Sequence, residues 1–156
     1  MTQPVRLKRV KGVTTISPNG LPIAYVGRGS TWENPFRVEK MSFDGKYAVK
    51  VYPDSYLTAI LTHTCKAVYD TKEEAKAAAF KCYEIMKFPY KHEEHGNNLK
   101  YFFLSQANYE EIRRFLQGKN LSCWCEPDDP TCHAAMLLHI ANSDFILPPI
   151  TPQKKI

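Results

Sequence analysis

No stretch of this sequence approaches the roughly 18 to 20 consecutive apolar residues of a membrane span, and the basic start is not followed by an export signal's apolar core. The expectation is a soluble, cytoplasmic chain with no membrane partner. Internal repeats and low-complexity tracts are missing too, which argues against a solenoid or a linker. Acidic residues are missing from the first twelve positions, which carry Arg6, Lys8, Arg9 and Lys11. With Lys154 and Lys155 these hold six of the 21 basic residues, leaving 15 against all 16 acids, a net of −1 for residues 13–153. The formal charge of +5 therefore lies at the two ends. A nucleic-acid interface, if built on this charge, rests on Arg6, Lys8, Arg9 and Lys11. A solubilising charged end is the alternative.

Cysteine is sparse and odd in number: Cys65, Cys82, Cys123, Cys125 and Cys132 show no disulfide-framework spacing, so reduced thiols are expected. Cys65 and Cys82 read as packing residues. His63, His92, His95 and His139 stand apart from one another, and His92 and His95 fall in a polar loop as solvated side chains.

What remains is enough for one compact core: 156 residues, 44% hydrophobic and 24% charged. A strand is expected within residues 5–10, followed by the turn Ser17-Pro18-Asn19-Gly20. A buried strand, Ile23-Ala24-Tyr25-Val26, feeds a loop at Gly27, where Pro35 halts regular structure. Tyr47, Val49 and Val51 alternate after the Asp44-Gly45 turn signal, predicting a strand within 43–52, and residues 56–69 are β-rich but ambiguous.

A helix over 71–87 is signalled by the Thr71/Glu74 capping box and by Ala75, Ala78, Ala79, Cys82, Ile85 and Met86 at helical spacing. A second, over 108–117, takes Asn108 as cap, Ile112, Phe115 and Leu116 as its apolar face and Gly118 as its stop. A strand over 121–125 and a third helix from Pro130 to 142, with Ala134, Leu137, Leu138 and Ala141 inward, complete the pattern. The expected fold is α/β, a small Rossmann-like layered domain over residues 1–144, with a mixed sheet and about three helices. Residues 145–156 form a Pro-rich C-terminal arm.

Two constellations carry chemistry. In Gly27-Arg28-Gly29-Ser30-Thr31-Trp32-Glu33-Asn34-Pro35-Phe36, the glycines admit a ligand to the backbone, and Arg28 offers a fork for phosphate. Trp32 and Phe36 offer stacking faces there, and Asn34 a base-reading amide. Arg28, Gly29, Ser30, Trp32 and Asn34, with Cys125 from the second segment, are the candidate ligand contacts. The competing reading is a structural turn with Trp32 and Phe36 as core anchors.

The second is Cys123-Trp124-Cys125-Glu126-Pro127-Asp128-Asp129-Pro130-Thr131-Cys132-His133, a strand, an acidic loop and a helix start. Strand alternation puts Cys123 and Cys125 on one face. Three explanations stay open. Cys123, Cys125, Cys132 and His133 form a zinc donor set, although Cys-X-Cys is tighter than usual and neighbouring Cys132 and His133 diverge on a helix. Cys132 at a helix N-terminus, assisted by His133, makes a thiolate nucleophile and base, opposed by Glu126, Asp128 and Asp129. The third is packing of small side chains, with Asp129 or Thr131 as the helix cap.

At these segments the sequence resembles domain of unknown function 4326, a family of uncharacterised phage and bacterial proteins. Its pattern is a basic segment ending Arg-X-Lys-Gly, a Val-Gly-Arg loop, Trp-Gly-Asn-Pro-Phe, and a C-terminal Cys-Trp-Cys leading to Cys-His-Ala. The matches are Arg9, Lys11, Gly12, then 25–30, Trp32, Asn34, Pro35, Phe36, then 118–125 and 132–141. Glu33 stands where the family has glycine, and residues 41–70 and 88–106 look like insertions.

The end motif also resembles that of a second uncharacterised family with Cys-His-Arg at a helix start, which implies a Rossmann-like strand, loop and helix. Here Ala134 replaces the arginine. The resemblance implies a site more than it names a reaction, and for a phage-encoded chain it implies the host cytoplasm.

The leading expectation is a nucleotide-like ligand held where loops 27–36 and 123–133 converge beyond the carboxyl ends of strands. Were it an enzyme, it would be a transferase or hydrolase acting at a nucleotide's glycosidic or phosphate bond, with Cys132 or His133 as nucleophile or base. The alternatives are a nucleic-acid-binding module and a zinc-stabilised interaction protein acting on a host factor.

Overall fold

The structure, a computed structural model, describes residues 2–51, 55–89 and 99–143. The Pro-rich arm and the loop bearing His92 and His95 lie outside the described residues. The described residues form two compact units, residues 2–33 with 106–143, and residues 34–51, 55–89 and 99–105. The described residues of both segments read as insertions, 41–70 and 88–106, fall in the second unit except for residue 106. No described helix is long and apolar enough to cross a membrane.

The first unit is built on three short parallel strands, β1 (Arg6–Lys8), β2 (Ile23–Tyr25) and β5 (Asn120–Cys123), in the order β1-β5-β2. The register sets Lys8 beside Cys123 and Tyr25 beside Ser122, so all three strands end at one edge. β5 is central and buried throughout, with Leu121 and Cys123 on one face and Asn120 and Ser122 on the other.

Asn120 is fully buried because its amide is fully used. Its Oδ1 accepts the Val5 N–H at 3.0 Å, and its Nδ2 donates to Asn19 Oδ1 at 2.7 Å and to Ser17 Oγ at 3.1 Å. The expected turn at 17–20 is thus pinned to the amino end of the sheet. Helix α4 (His133–Asn142) packs on β5 and buries Ala134, Leu137, Ile140 and Ala141. Leu138, expected in the core, is half-buried, and Ile140 takes its place. The helix starts at His133 rather than Pro130. Cys132 is its N-cap, without a side-chain cap bond, and Asp129 instead accepts from the Thr131 N–H and hydroxyl within the loop.

Helix α3 spans Leu99–Leu116, so Asn108 lies inside it rather than capping it. Its Ile112 and Leu116 are buried, while Phe115 stays 47% exposed against Trp32, with ring centroids 6.4 Å apart. Gly118 ends the helix at φ 73°, a left-handed angle open to glycine.

In the second unit, β3 (Arg37–Lys40) and β4 (Tyr47–Lys50) form an antiparallel hairpin around Asp44-Gly45, where Gly45 has φ 70° and Asp44 accepts the Lys46 N–H. β3 begins at Arg37, one residue after Phe36 closes the 27–36 loop, in a stretch for which no strand was expected. Helix α2 (Lys72–Lys87) has the expected capping box at Thr71 and Glu74. Residues 56–64 of the ambiguous stretch lie in helix α1 (Ser55–Thr64), which packs against α2, while Tyr69 at its end bridges antiparallel to Tyr47. Phe36, Val49, Ile60, Ala75, Ala79 and Cys82 form the buried core there.

Cys65 and Cys82 meet in this unit with sulfurs 3.4 Å apart. The Cys82 thiol, itself pushed up, donates to Cys65 and pulls the Cys65 thiol down to about 7. Alkylation of Cys65 by iodoacetamide should therefore reach half its maximal rate near pH 7, below the usual ~8.5 of a free thiol. Cys82→Ala should move that midpoint upward. Site-resolved mass spectrometry across pH checks this, and an unchanged midpoint in the variant would show that Cys82 does not set the Cys65 thiol.

Candidate functional site

The parallel register brings the segments after β1, β2 and β5 together at one edge of the first unit. Arg9 N–H donates to Cys123 O at 2.7 Å, and Val26 N–H to Ser122 O at 2.9 Å, extending the ladders past the strands. Beyond them three side chains stack. The Arg9 guanidinium lies 4.6 Å from the Tyr25 ring centre and 5.4 Å from that of Trp124. The Trp124 indole N–H donates to the Tyr25 hydroxyl at 2.9 Å, and that hydroxyl donates to the Arg28 carbonyl at 2.8 Å.

This stack walls a cleft of about 500 Å³, lined also by Lys11, Thr14, Thr15 and Ser122. Gly12, at φ 76°, turns the chain so that Val13 N–H bonds Val10 O at 3.1 Å, which carries Lys11 to the rim. Trp124 keeps 47% of its surface exposed.

Gly27 makes the stack geometrically feasible. A Cβ there would stand 2.7 Å from the Tyr25 ring and hydroxyl, so any larger residue must push the tyrosine away. The rest of the loop in this unit is held by its own groups. Ser30 Oγ donates to Gly27 O at 2.7 Å and accepts from Trp32 N–H at 3.3 Å. Gly29 N–H donates to the Glu33 carboxylate at 3.0 Å. An internal anion thus occupies the amide that a phosphate would seek. Arg28 is exposed and Trp32 half-buried. Asn34 and Phe36 belong to the second unit. Asn34 Oδ1 accepts from Phe36 N–H and its Nδ2 donates to Ala79 O, and Phe36 is buried at 3% exposure.

The cysteine motif is assembled by β5, the loop and the start of α4. The Sγ atoms of Cys123, Cys125 and Cys132 all lie within 4.8 Å of one another, and those of Cys123 and Cys132 are 3.4 Å apart. Cys123 and Cys132 are each 3% exposed, and Cys125 is half-buried. The thiols of Cys123 and Cys132 donate to Cys125 and hold its thiol down at about 3. Sharing the proton this way pushes Cys123 up through Cys125, and pushes Cys132 up through both partners and burial. Thiolate character therefore rests on Cys125, which the sequence placed among the ligand contacts. Buried His133 has its Nε2 2.6 Å from the Val26 carbonyl, tying α4 to the end of β2.

Arg6 and Lys8 serve this loop. The Arg6 guanidinium donates to the carbonyls of Asp129, at 2.8 Å, and Pro127, while Lys8 pairs with Glu126. Of the four basic residues at the chain start, two hold the acidic loop and two line the cleft. Tyr25, Thr14 and Thr15 went unrecognised as site residues. The only sequence signal for Tyr25 was its position at a strand end beside a glycine loop.

No curated protein and no solved structure matches this chain. The family described as a domain of unknown function (DUF4326) matches residues 5–143, covering β1, the glycine loop, β5, the cysteine cluster and α4. This chain belongs to that family.

Proposed function

We propose that the protein binds a nucleotide-like ligand in the cleft at the carboxyl edge of β1, β5 and β2. The observation that carries this reading is the Arg9 guanidinium held against Tyr25 and Trp124 beside Lys11. Cations for phosphate stand next to aromatic faces for a base, in a cleft within the roughly 300 to 1,000 Å³ usual for small ligands. Ligands in open parallel sheets bind beyond the strands' carboxyl ends, where this cleft opens.

The geometry supports binding more than turnover. Cys132, the expected nucleophile, is buried with its thiol pushed up, and the His133 Nε2 is committed to Val26. A single-stranded nucleic acid is the second reading, favoured by Val10 and Val13, which stay 52% and 61% exposed and line the cleft with Trp124.

The test uses tryptophan fluorescence, since Trp32 and Trp124 are the only two tryptophans. Nucleoside mono- and triphosphates should quench it saturably. Trp124→Phe should remove the optical signal while calorimetry still records binding. Absence of both quench and heat up to about 1 mM ligand, a binding energy no better than about −4 kcal/mol, would sink the proposal.

A further inference from the structure

We propose that Cys123, Cys125 and Cys132 bind one zinc(II) ion as a three-thiolate site whose fourth position is left to water or an exogenous donor. This does not depend on the nucleotide reading, because none of the three sulfurs lines the cleft.

A tetrahedral zinc with Zn–S bonds of about 2.3 Å sets its sulfurs about 3.8 Å apart. The observed separations, 3.4 Å for Cys123 and Cys132 and at most 4.8 Å for every pair, bracket that value. Small side-chain rotations suffice to close on the ion.

The scaffold is fixed by bonds that need no metal. β5 holds Cys123, the Asp129–Thr131 hydrogen bonds turn the loop, and Arg6 clasps the Pro127 and Asp129 carbonyls. Cys132 is thereby returned to Cys123 from nine residues away. A disulfide between these two would leave Cys125 without a role, whereas a metal uses all three sulfurs.

His133 is not part of this set. Among the described residues no further His, Cys, Asp or Glu joins the three sulfurs. The four-ligand set that the sequence suggested becomes three thiolates and an open position, the arrangement that lets a zinc ion take up an outside ligand. Loading releases the thiol protons to the buffer.

The test is cobalt(II) titration of reduced, chelator-stripped full-length protein, followed by zinc competition and elemental analysis of the untreated protein. A near-ultraviolet thiolate-to-cobalt charge-transfer band should saturate at one equivalent and disappear on adding zinc. Cys125→Ser, at the most exposed of the three positions, should weaken binding by about 100-fold or more. Cys65→Ser, outside the set, should titrate as wild type. A wild-type protein that is folded by circular dichroism and fully reduced, yet gives no such band, overturns the proposal whatever the variants do. So does equal loss in Cys65→Ser.

Discussion

Replacing Asn120 with alanine should cost the first unit about 3 kcal/mol, roughly a 100-fold loss in its folding equilibrium. The side chain is fully buried and connects Val5, Ser17 and Asn19. Its truncation removes four hydrogen bonds at once, from the Val5 N–H and the Asn19 amide to its Oδ1 and from its Nδ2 to Ser17 and Asn19, each worth about 0.5 to 1.5 kcal/mol net. Asn120→Asp keeps the acceptor for Val5 but turns a carboxylate toward Asn19 Oδ1, and should cost at least as much. Urea denaturation checks both: the midpoint should fall while the slope stays constant. A loss below about 1 kcal/mol for Asn120→Ala would mean that water replaces the amide and that the 17–20 turn is held by other contacts.

Arg9→Ala should weaken nucleotide binding about 30-fold, equivalent to about 2 kcal/mol. In the proposed mode it would remove a charge-assisted phosphate contact together with the planar group stacked on Tyr25 and Trp124. Arg9→Lys keeps the charge without the planar fork and should fall between. Arg28→Ala should change affinity by less than about threefold, because the Glu33 carboxylate already occupies its loop's Gly29 amide. The reverse pattern, with Arg28 decisive and Arg9 silent, would return the phosphate to the glycine loop.

Oligonucleotides separate the second reading. On a single strand, binding through Arg9 and Lys11 alone predicts a log–log salt slope of about −1.4, whereas engagement of Arg6 and Lys8 as well predicts about −2.8. The smaller slope is expected, since Arg6 and Lys8 are tied to the 126–129 loop.

Several of these elements were legible because their determinants are local. The Thr71/Glu74 box started α2, Gly118 ended α3, and Asp44-Gly45 turned the hairpin. α1 was not, because Thr58, Ile60, Thr62 and Thr64 favour strands when read alone. Packing of buried Ile60 in the second core overrides that preference. Asn108 is a good cap by residue type, but the helix already runs from Leu99.

The cysteine cluster could be read from spacing because its members are nine residues apart at most. The Arg9, Tyr25 and Trp124 stack could not. Its residues are drawn from positions as far apart as 9 and 124, and only the order β1-β5-β2 brings them together.

That strand order also bears on how the chain is made. β1 and β2 never pair with each other; each bonds only to β5, which leaves the ribosome more than a hundred residues after β1. The early strands must wait unpaired, their inner edges open, while the hairpin, α1 and α2 gather a separate core from contiguous chain. Completion of the first unit is then a late insertion of one strand between two that are already present. The cleft and the thiol cluster both stand at the end of that strand, so neither exists until β5 and the loop after it have emerged.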